Sequence, residues 1–271
     1  MGNQVKTKLN QAFAPQVEGA GSLGPRTNLW TVSFGVTLLV FGALLGYGVM
    51  VPLFLLGFIF PVCNVWTEFV LHRGTSLLMN LQTWYQARLS IAIEPKSSSR
   101  KPQIILSNHR SHLDAFLFLA TIPGVRMLAR KSLFFIPFLG GMMRITRQIP
   151  AKRGMVTSLQ RAMEELKLRA LEGQNVLIFP EMTRCQPGFD GIQPFSILPF
   201  QMALQIQAEI IPVVLKGTDQ VWPKGKWGIV SNHLIQAFSL PKICASQFES
   251  SAELRDAVWK SMNEAYRAKI Q

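Results

Sequence analysis

Between Arg26 and Glu68 the chain carries no charged side chain, and no other feature limits its possible folds so sharply. A single helix over Thr27–Thr67 would run about 60 Å, twice the roughly 30 Å hydrocarbon core of a bilayer. The stretch therefore has to break, and Gly46-Tyr47-Gly48 with Pro52 supplies the place. Two segments result, about Leu29 to Leu45 and Met50 to Trp66, expected to form a membrane hairpin or a pair of helices dipping into one leaflet. Basic residues flank them, Lys6, Lys8 and Arg26 before and Arg73 and Arg88 after. By the positive-inside rule both ends then face the cytosol, with one tilted span plus an interfacial helix as the alternative. A cleaved signal peptide does not fit, because the apolar stretch is too long and starts too late.

Four regions follow. Residues 1–28 are polar and rich in Gln, Gly and Pro, and are expected to be a mobile tail. Met1-Gly2 resembles the start of a myristoylation signal, but Lys6 stands where Ser or Thr belongs. Residues 29–66 are the expected hairpin. Residues 67–89 read as an amphipathic connector helix, with Phe69, Leu77, Leu81 and Trp84 at helical spacing among His72, Arg73 and Arg88. It suits a membrane interface or packing on a core.

Residues 90–271 alternate strand and helix signals. Strands are expected at Ser90–Glu94, Gln103–Ser107, Val125–Ala129, Gln148–Ala151, Asn175–Phe179, Ile210–Leu215, Gly228–Ser231 and Leu234–Phe238. Helices are expected at Ala115–Ile122, Phe135–Ile145, Thr157–Glu172, Leu198–Ala208 and Ala252–Lys269. This alternation predicts an α/β domain with a largely parallel or mixed sheet flanked by helices.

The reactive side chains cluster on the turn between the Gln103–Ser107 strand and the next helix, in Asn108-His109-Arg110-Ser111-His112-Leu113-Asp114. On a regular helix His109 and Asp114 would stand about 140° apart and could not share a hydrogen bond. With His109 in the turn, its imidazole can fold back toward Asp114. The carboxylate would then hold one ring nitrogen as N–H and leave the other to take a proton from a hydroxyl. Two rivals stand beside this. Ser111-x-x-Asp114 is also a capping box, and His109, His112 and Asp114 are all possible zinc ligands. The other histidines, His72 and His233, lie far away in sequence, so no metal site is expected.

The net charge of +13 requires an acidic partner. No acidic residue lies between Asp114 and Glu164, where Arg126, Arg130, Lys131, Arg144, Arg147, Lys152, Arg153 and Arg161 all fall. Leu133 to Leu139 and Met142-Met143 interrupt that run. Basic and bulky apolar residues together fit an anionic lipid surface rather than nucleic acid. Trp222, Lys224, Lys226 and Trp227 suit a headgroup anchor or a plain surface hairpin. Three cysteines, Cys63, Cys185 and Cys244, make no disulfide framework. Cys185 has no evident base, so it is a weak candidate nucleophile.

Four stretches occur in order: Asn108-His109-x-Ser111-x-x-Asp114, Ile149-Pro150-x-x-Arg153, Phe179-Pro180-Glu181-x-Thr183-Arg184 and Ile211-Pro212-Val213-Val214. Together with Lys131 to Gly140 they resemble the glycerolipid acyltransferases, in particular the 1-acyl-sn-glycerol-3-phosphate (lysophosphatidic acid) acyltransferase family, over roughly Lys101 to Gly217. The resemblance implies His109 as base and Asp114 as its orienter, with Asn108, Arg153, Glu181, Thr183 and Arg184 on the acceptor side. It implies acyl-CoA or acyl carrier protein as co-substrate, no other cofactor, and a membrane enzyme whose active site faces the cytosol.

Two departures stand out. The family normally has glycine where Met182 stands, and an acid where Lys152 precedes Arg153. The expected reaction is transfer of a fatty acyl chain onto a lysophospholipid, foremost lysophosphatidic acid to phosphatidic acid. Another lysolipid or an amino-acid lipid is the alternative acceptor. A non-catalytic lipid-binding protein and a metal-dependent hydrolase are the competing classes.

Overall fold

The structure, a computed structural model, describes residues 62–92, 101–136, 139–152, 154–186, 188–222, 224 and 233–268, with scattered positions between 44 and 60. The expected tail, most of the expected hairpin, the Gly228–Ser231 strand, Arg153, Lys226 and Trp227 lie outside the described residues.

The described chain runs α1 (Val62–Gln86), β1 (Ala87–Ala92), β2 (Gln103–Ser107), α2 (Leu113–Thr121), β3 (Arg126–Arg130), a 3₁₀ turn (Lys131–Phe135) and α3 (Leu139–Ile145). It continues through β4 (Ile149–Ala151), α4 (Val156–Leu171), β5 (Val176–Ile178), α5 (Leu198–Gln205), β6 (Glu209–Lys216) and α6 (Thr218–Val221). It closes with β7 (His233–Ser239), β8 (Ile243–Cys244), a second 3₁₀ turn (Ala245–Gln247) and α7 (Ser251–Arg267). The strands form one sheet in the order β1-β7-β6-β2-β5-β3-β4, with β8 also on β6. β2, β3, β4, β5 and β6 are mutually parallel, whereas β7 runs antiparallel to β6. The sheet is therefore mixed.

The central strands read as unbroken apolar runs because both of their faces are covered. Ile104 and Leu106 of β2, Val176 and Ile178 of β5 and Ile210 and Val214 of β6 join one core, under α4, α5 and α7. Ile105, Leu177, Ile211, Val213 and Leu215, the alternate residues, join a second core under α2.

Several expectations shift. α1 ends at Gln86, and β1 starts at Ala87 rather than Ser90. β1 pairs in parallel with β7, at the far end of the sheet from β4. Of the expected Phe135–Ile145 helix, α3 covers Leu139–Ile145, while Phe135 closes the preceding 3₁₀ turn.

The connector helix α1 is inverted in polarity. Toward α2 and β3 it presents polar groups: Ser76 Oγ donates to the carbonyl of Ala120, Glu68 pairs with Arg126, and Thr67 is buried. Outward it presents Val62, Val65, Trp66, Phe69 and Leu77, all exposed. Among the described residues no helix is long and apolar enough to cross a membrane.

Candidate active site

β2 ends at Ser107, and the chain turns through residues 108–112 before α2 begins at Leu113. This strand end, the carboxyl edge of a parallel sheet, is where open α/β folds bring their functional loops together. The β5 strand ends beside it, delivering Phe179 to Arg184. The two motifs thus meet because β2 and β5 are adjacent in the sheet.

His109 Nδ1 lies 2.8 Å from Asp114 Oδ2, as the fold-back of the turn predicts. The same oxygen also accepts the backbone N–H groups of Arg110 at 2.6 Å and Ser111 at 2.8 Å. Capping and orienting, which stood as alternatives, are therefore performed by one carboxylate oxygen. Asp114 is fully buried, while the His109 side chain is 20% exposed. The imidazole stacks on Phe179, with ring centroids 4.2 Å apart. With Nδ1 engaged, Nε2 is the ring atom left for a reacting group.

The backbone of His109 is held from both sides by the third motif. Its N–H donates to Glu181 Oε1 at 2.8 Å, and its carbonyl accepts from Cys185 N–H at 2.7 Å. Glu181 Oε2 accepts from the side chain and backbone of Gln193. Burial pushes the Glu181 carboxyl above its ordinary range, against those hydrogen bonds, which favour the charged form. Both carboxylate oxygens are thus engaged by the protein, and Glu181, expected on the acceptor side, supports the turn.

Asn108 also moves from that expectation. It is buried, its Nδ2 donates to the carbonyl of Leu215 and its Oδ1 accepts from Leu215 N–H. With one bond from each end of its amide, it fastens the end of β2 to β6. Thr183 is partly exposed on the loop.

Arg184 stays on the same loop, and its Nη1 is buried with no hydrogen-bond partner among the described residues. Burial depresses its pKa, and the Asp114 charge works the other way. Glu181 and Arg184, three positions apart, do not pair with each other among the salt bridges of the described residues. His112 is pulled below the usual histidine range by burial, then by the charges of Arg184 and His109, with Asp114 opposing. Lys224 Nζ donates to the carbonyl of Arg184, so it braces the loop.

Among the described residues no group of three His, Cys, Asp or Glu side chains is arranged to hold a metal ion. Burial raises the Cys185 thiol, the reverse of what a nucleophile needs.

Residues 88–216 match the family model described as Acyltransferase. Within them stand the paired His109 and Asp114, and the matching stretch runs from β1 to the end of β6. Over that stretch the chain is similar to the acyltransferase family. The chain is 30% identical over 176 residues to the chloroplastic 1-acyl-sn-glycerol-3-phosphate acyltransferase of Brassica napus, covering 63% of this chain and 49% of that one. It is 31% identical over 125 residues to the Saccharomyces cerevisiae 1-acyl-sn-glycerol-3-phosphate acyltransferase, covering 44% and 40% of the two chains. The chain therefore spans about half or less of the length of these curated relatives. The crystal structure of the 1-acyl-sn-glycerophosphate (LPA) acyltransferase from Thermotoga maritima shares its fold, with a TM-score of 0.62, 20% identity and coverage of 88% and 89%.

The fold also uses residues that the motif pattern leaves blank. Arg110 occupies the variable position after His109, yet its side chain is buried. Gln193, Asp219 and Tyr266 enter the surroundings of the turn from elements far along the chain. Nothing in their local sequence marks them, because their partners are fixed only by the packing of the sheet.

Proposed function

We propose that the chain transfers a fatty acyl group from a thioester, acyl-CoA or acyl carrier protein, to the free hydroxyl of a lysophospholipid, foremost lysophosphatidic acid. The observation that carries this reading is the 2.8 Å pair of His109 Nδ1 and buried Asp114. His109 Nε2 takes the acceptor's hydroxyl proton as the oxygen attacks the thioester carbonyl. The tetrahedral intermediate expels the thiolate, which takes the proton from the imidazolium, leaving an ester and a free thiol. The Asp114 charge stabilises that imidazolium. Such a positioned base typically contributes about 10² to 10⁴-fold. No acyl-enzyme is needed in this reading, since among the described residues no activated nucleophile stands beside His109.

Arg184 is the acceptor's phosphate ligand in this reading: a guanidinium whose buried Nη1 has no hydrogen-bond partner among the described residues gains from a charge-assisted hydrogen bond. Thr183 beside it and, from the second motif, Arg153 are the further residues assigned to the acceptor in this reading. Met182 keeps a left-handed backbone, φ 54°, and packs on the core, so the turn retains a glycine-like path. This favours the phosphate-bearing acceptor over an amino-acid lipid.

The lipid substrates and the exposed apolar face of α1 together support a protein seated on a membrane, its site toward the cytosol. The test is incorporation of labelled acyl-CoA, or acyl carrier protein thioester, into lysophosphatidic acid beside other lysophospholipids, with purified protein in detergent. Phosphatidic acid formation that is lost in His109→Ala supports the enzyme. Lipid binding without acylation of any acceptor supports the non-catalytic reading instead.

A further inference from the structure

The turn that carries His109 is gripped from beneath by one buried cation. Arg110 Nε and Nη2 lie 2.9 and 2.8 Å from Asp219 Oδ2. Its Nη1 donates to the carbonyl of Gly191 at 3.0 Å and its Nη2 to that of Phe189 at 3.3 Å. Its guanidinium lies 4.9 Å over the Tyr266 ring. Three separate pieces of chain therefore converge on it: α6, the loop around Gly191, and α7.

That loop is itself fastened to α7. Ile192 N–H donates to Asn263 Oδ1, and Trp259 Nε1 donates to the carbonyls of Ile192 and Gln193. Gln193 in turn holds Glu181, which holds His109 N–H. Gly191 sits at φ 99° where an added Cβ would crowd Asn263 and Arg267, so the loop follows a path only glycine permits easily.

The main chain of Arg110 connects this grip to the reacting pair, because its N–H is the 2.6 Å donor to Asp114 Oδ2. We infer that Arg110 is a positioning residue: anchored to Asp219, the Gly191 loop and α7, it fixes the peptide that aims Asp114 at His109. The inference rests on the acyl-transfer reading above for its kinetic consequence, but its structural content is independent of it. The last described helix, α7, thereby takes part in positioning the reacting pair.

The experiment is nitrogen-15 histidine NMR on the full chain in detergent, for the parent protein, Arg110→Gln, Arg110→Lys, Asp219→Asn, and Leu166→Ala as an equally destabilised control in the core under α4. A downfield Nδ1–H resonance, assigned by its loss in His109→Ala, is expected in the parent and in Leu166→Ala. It is expected to vanish in Arg110→Gln and to weaken in Asp219→Asn, with partial recovery in Arg110→Lys. In the acyl-transfer assay, Arg110→Gln is expected to lower kcat by about 100-fold, the scale for a small misplacement of a reacting group, with KM unchanged. It should add nothing to the loss already caused by His109→Ala. Retention of the resonance in Arg110→Gln, or an equal further loss in the His109→Ala background, overturns the inference. If the parent acylates no acceptor, the functional reading fails while the resonance still decides the positioning role.

Discussion

His109 donates its backbone N–H to Glu181, 72 positions later in the chain, at 2.8 Å. Two motifs that look like separate pieces of a site in the sequence are thus one mechanical unit. The ring of His109 is aimed by Asp114 from its own turn, and its backbone by Glu181 from the next strand in the sheet.

Asp114 both orients and caps, and two substitutions separate the roles. Asp114→Asn keeps an oxygen for the Arg110 and Ser111 N–H groups but removes the charge that stabilises the imidazolium. Asp114→Ala leaves those two buried donors without an acceptor, at about 1–3 kcal/mol each. Acyl transfer is expected to fall by at least about 10²-fold in both. Thermal unfolding should drop markedly only for Asp114→Ala, and equal melting temperatures would refute the capping role.

Glu181 supplies a pH prediction. Its folded-state pKa is raised by burial, so the folded protein binds the proton more tightly than the unfolded chain. The associated stability is present below the ordinary carboxylate range and is lost as pH rises through the raised value. Relative to Glu181→Gln, the parent protein should become progressively less stable across that window. Denaturant unfolding at a series of pH values measures the difference, and a constant gap would contradict it.

His112 has the opposite linkage. Its pKa is depressed by burial and by Arg184, so stability is present above the usual histidine range and declines as pH falls toward the depressed value. His112→Asn should remove that decline. Melting curves between neutral and mildly acidic pH test it, with an unchanged acid slope as the adverse result.

Met182 inverts a familiar ranking. At φ 54° an L-residue carries a cost of about 1–2 kcal/mol that glycine escapes. Its partly buried side chain also packs on the core, so both truncations lose that contact. Met182→Gly is therefore expected to be more stable than Met182→Ala by about 1 kcal/mol. Ordinary helix or strand positions show the reverse order, and chemical denaturation of the two variants decides.

The outward face of α1 predicts lipid contact. Trp66 and Phe69 lie edge to face at 5.8 Å, and Arg73 reaches over Phe69. Replacing both aromatics by Glu removes two apolar anchors worth about 1.5–3 kcal/mol each if fully buried. Sedimentation with anionic vesicles should show partitioning weakened by at least about 10-fold, with the melting temperature unchanged. Undiminished binding would assign membrane attachment to other parts of the chain.

The sequence by itself determined what is local. Apolar runs bounded by turn formers located β2, β5 and β6, and the strand-to-helix turn put His109 within reach of Asp114, since five positions of chain suffice for that bond. Whether Asp114 caps or orients could not be read there, because both uses need the same residue at the same spacing. Only the tertiary structure decided which strands are neighbours, and with it that β1 pairs with β7. The same packing gave Glu181, Asn108 and Arg110 their partners on other strands, loops and helices. A hydrogen bond forms between groups that folding brings within about 3 Å, and no residue type or periodicity records that meeting when the partners lie far apart in the chain.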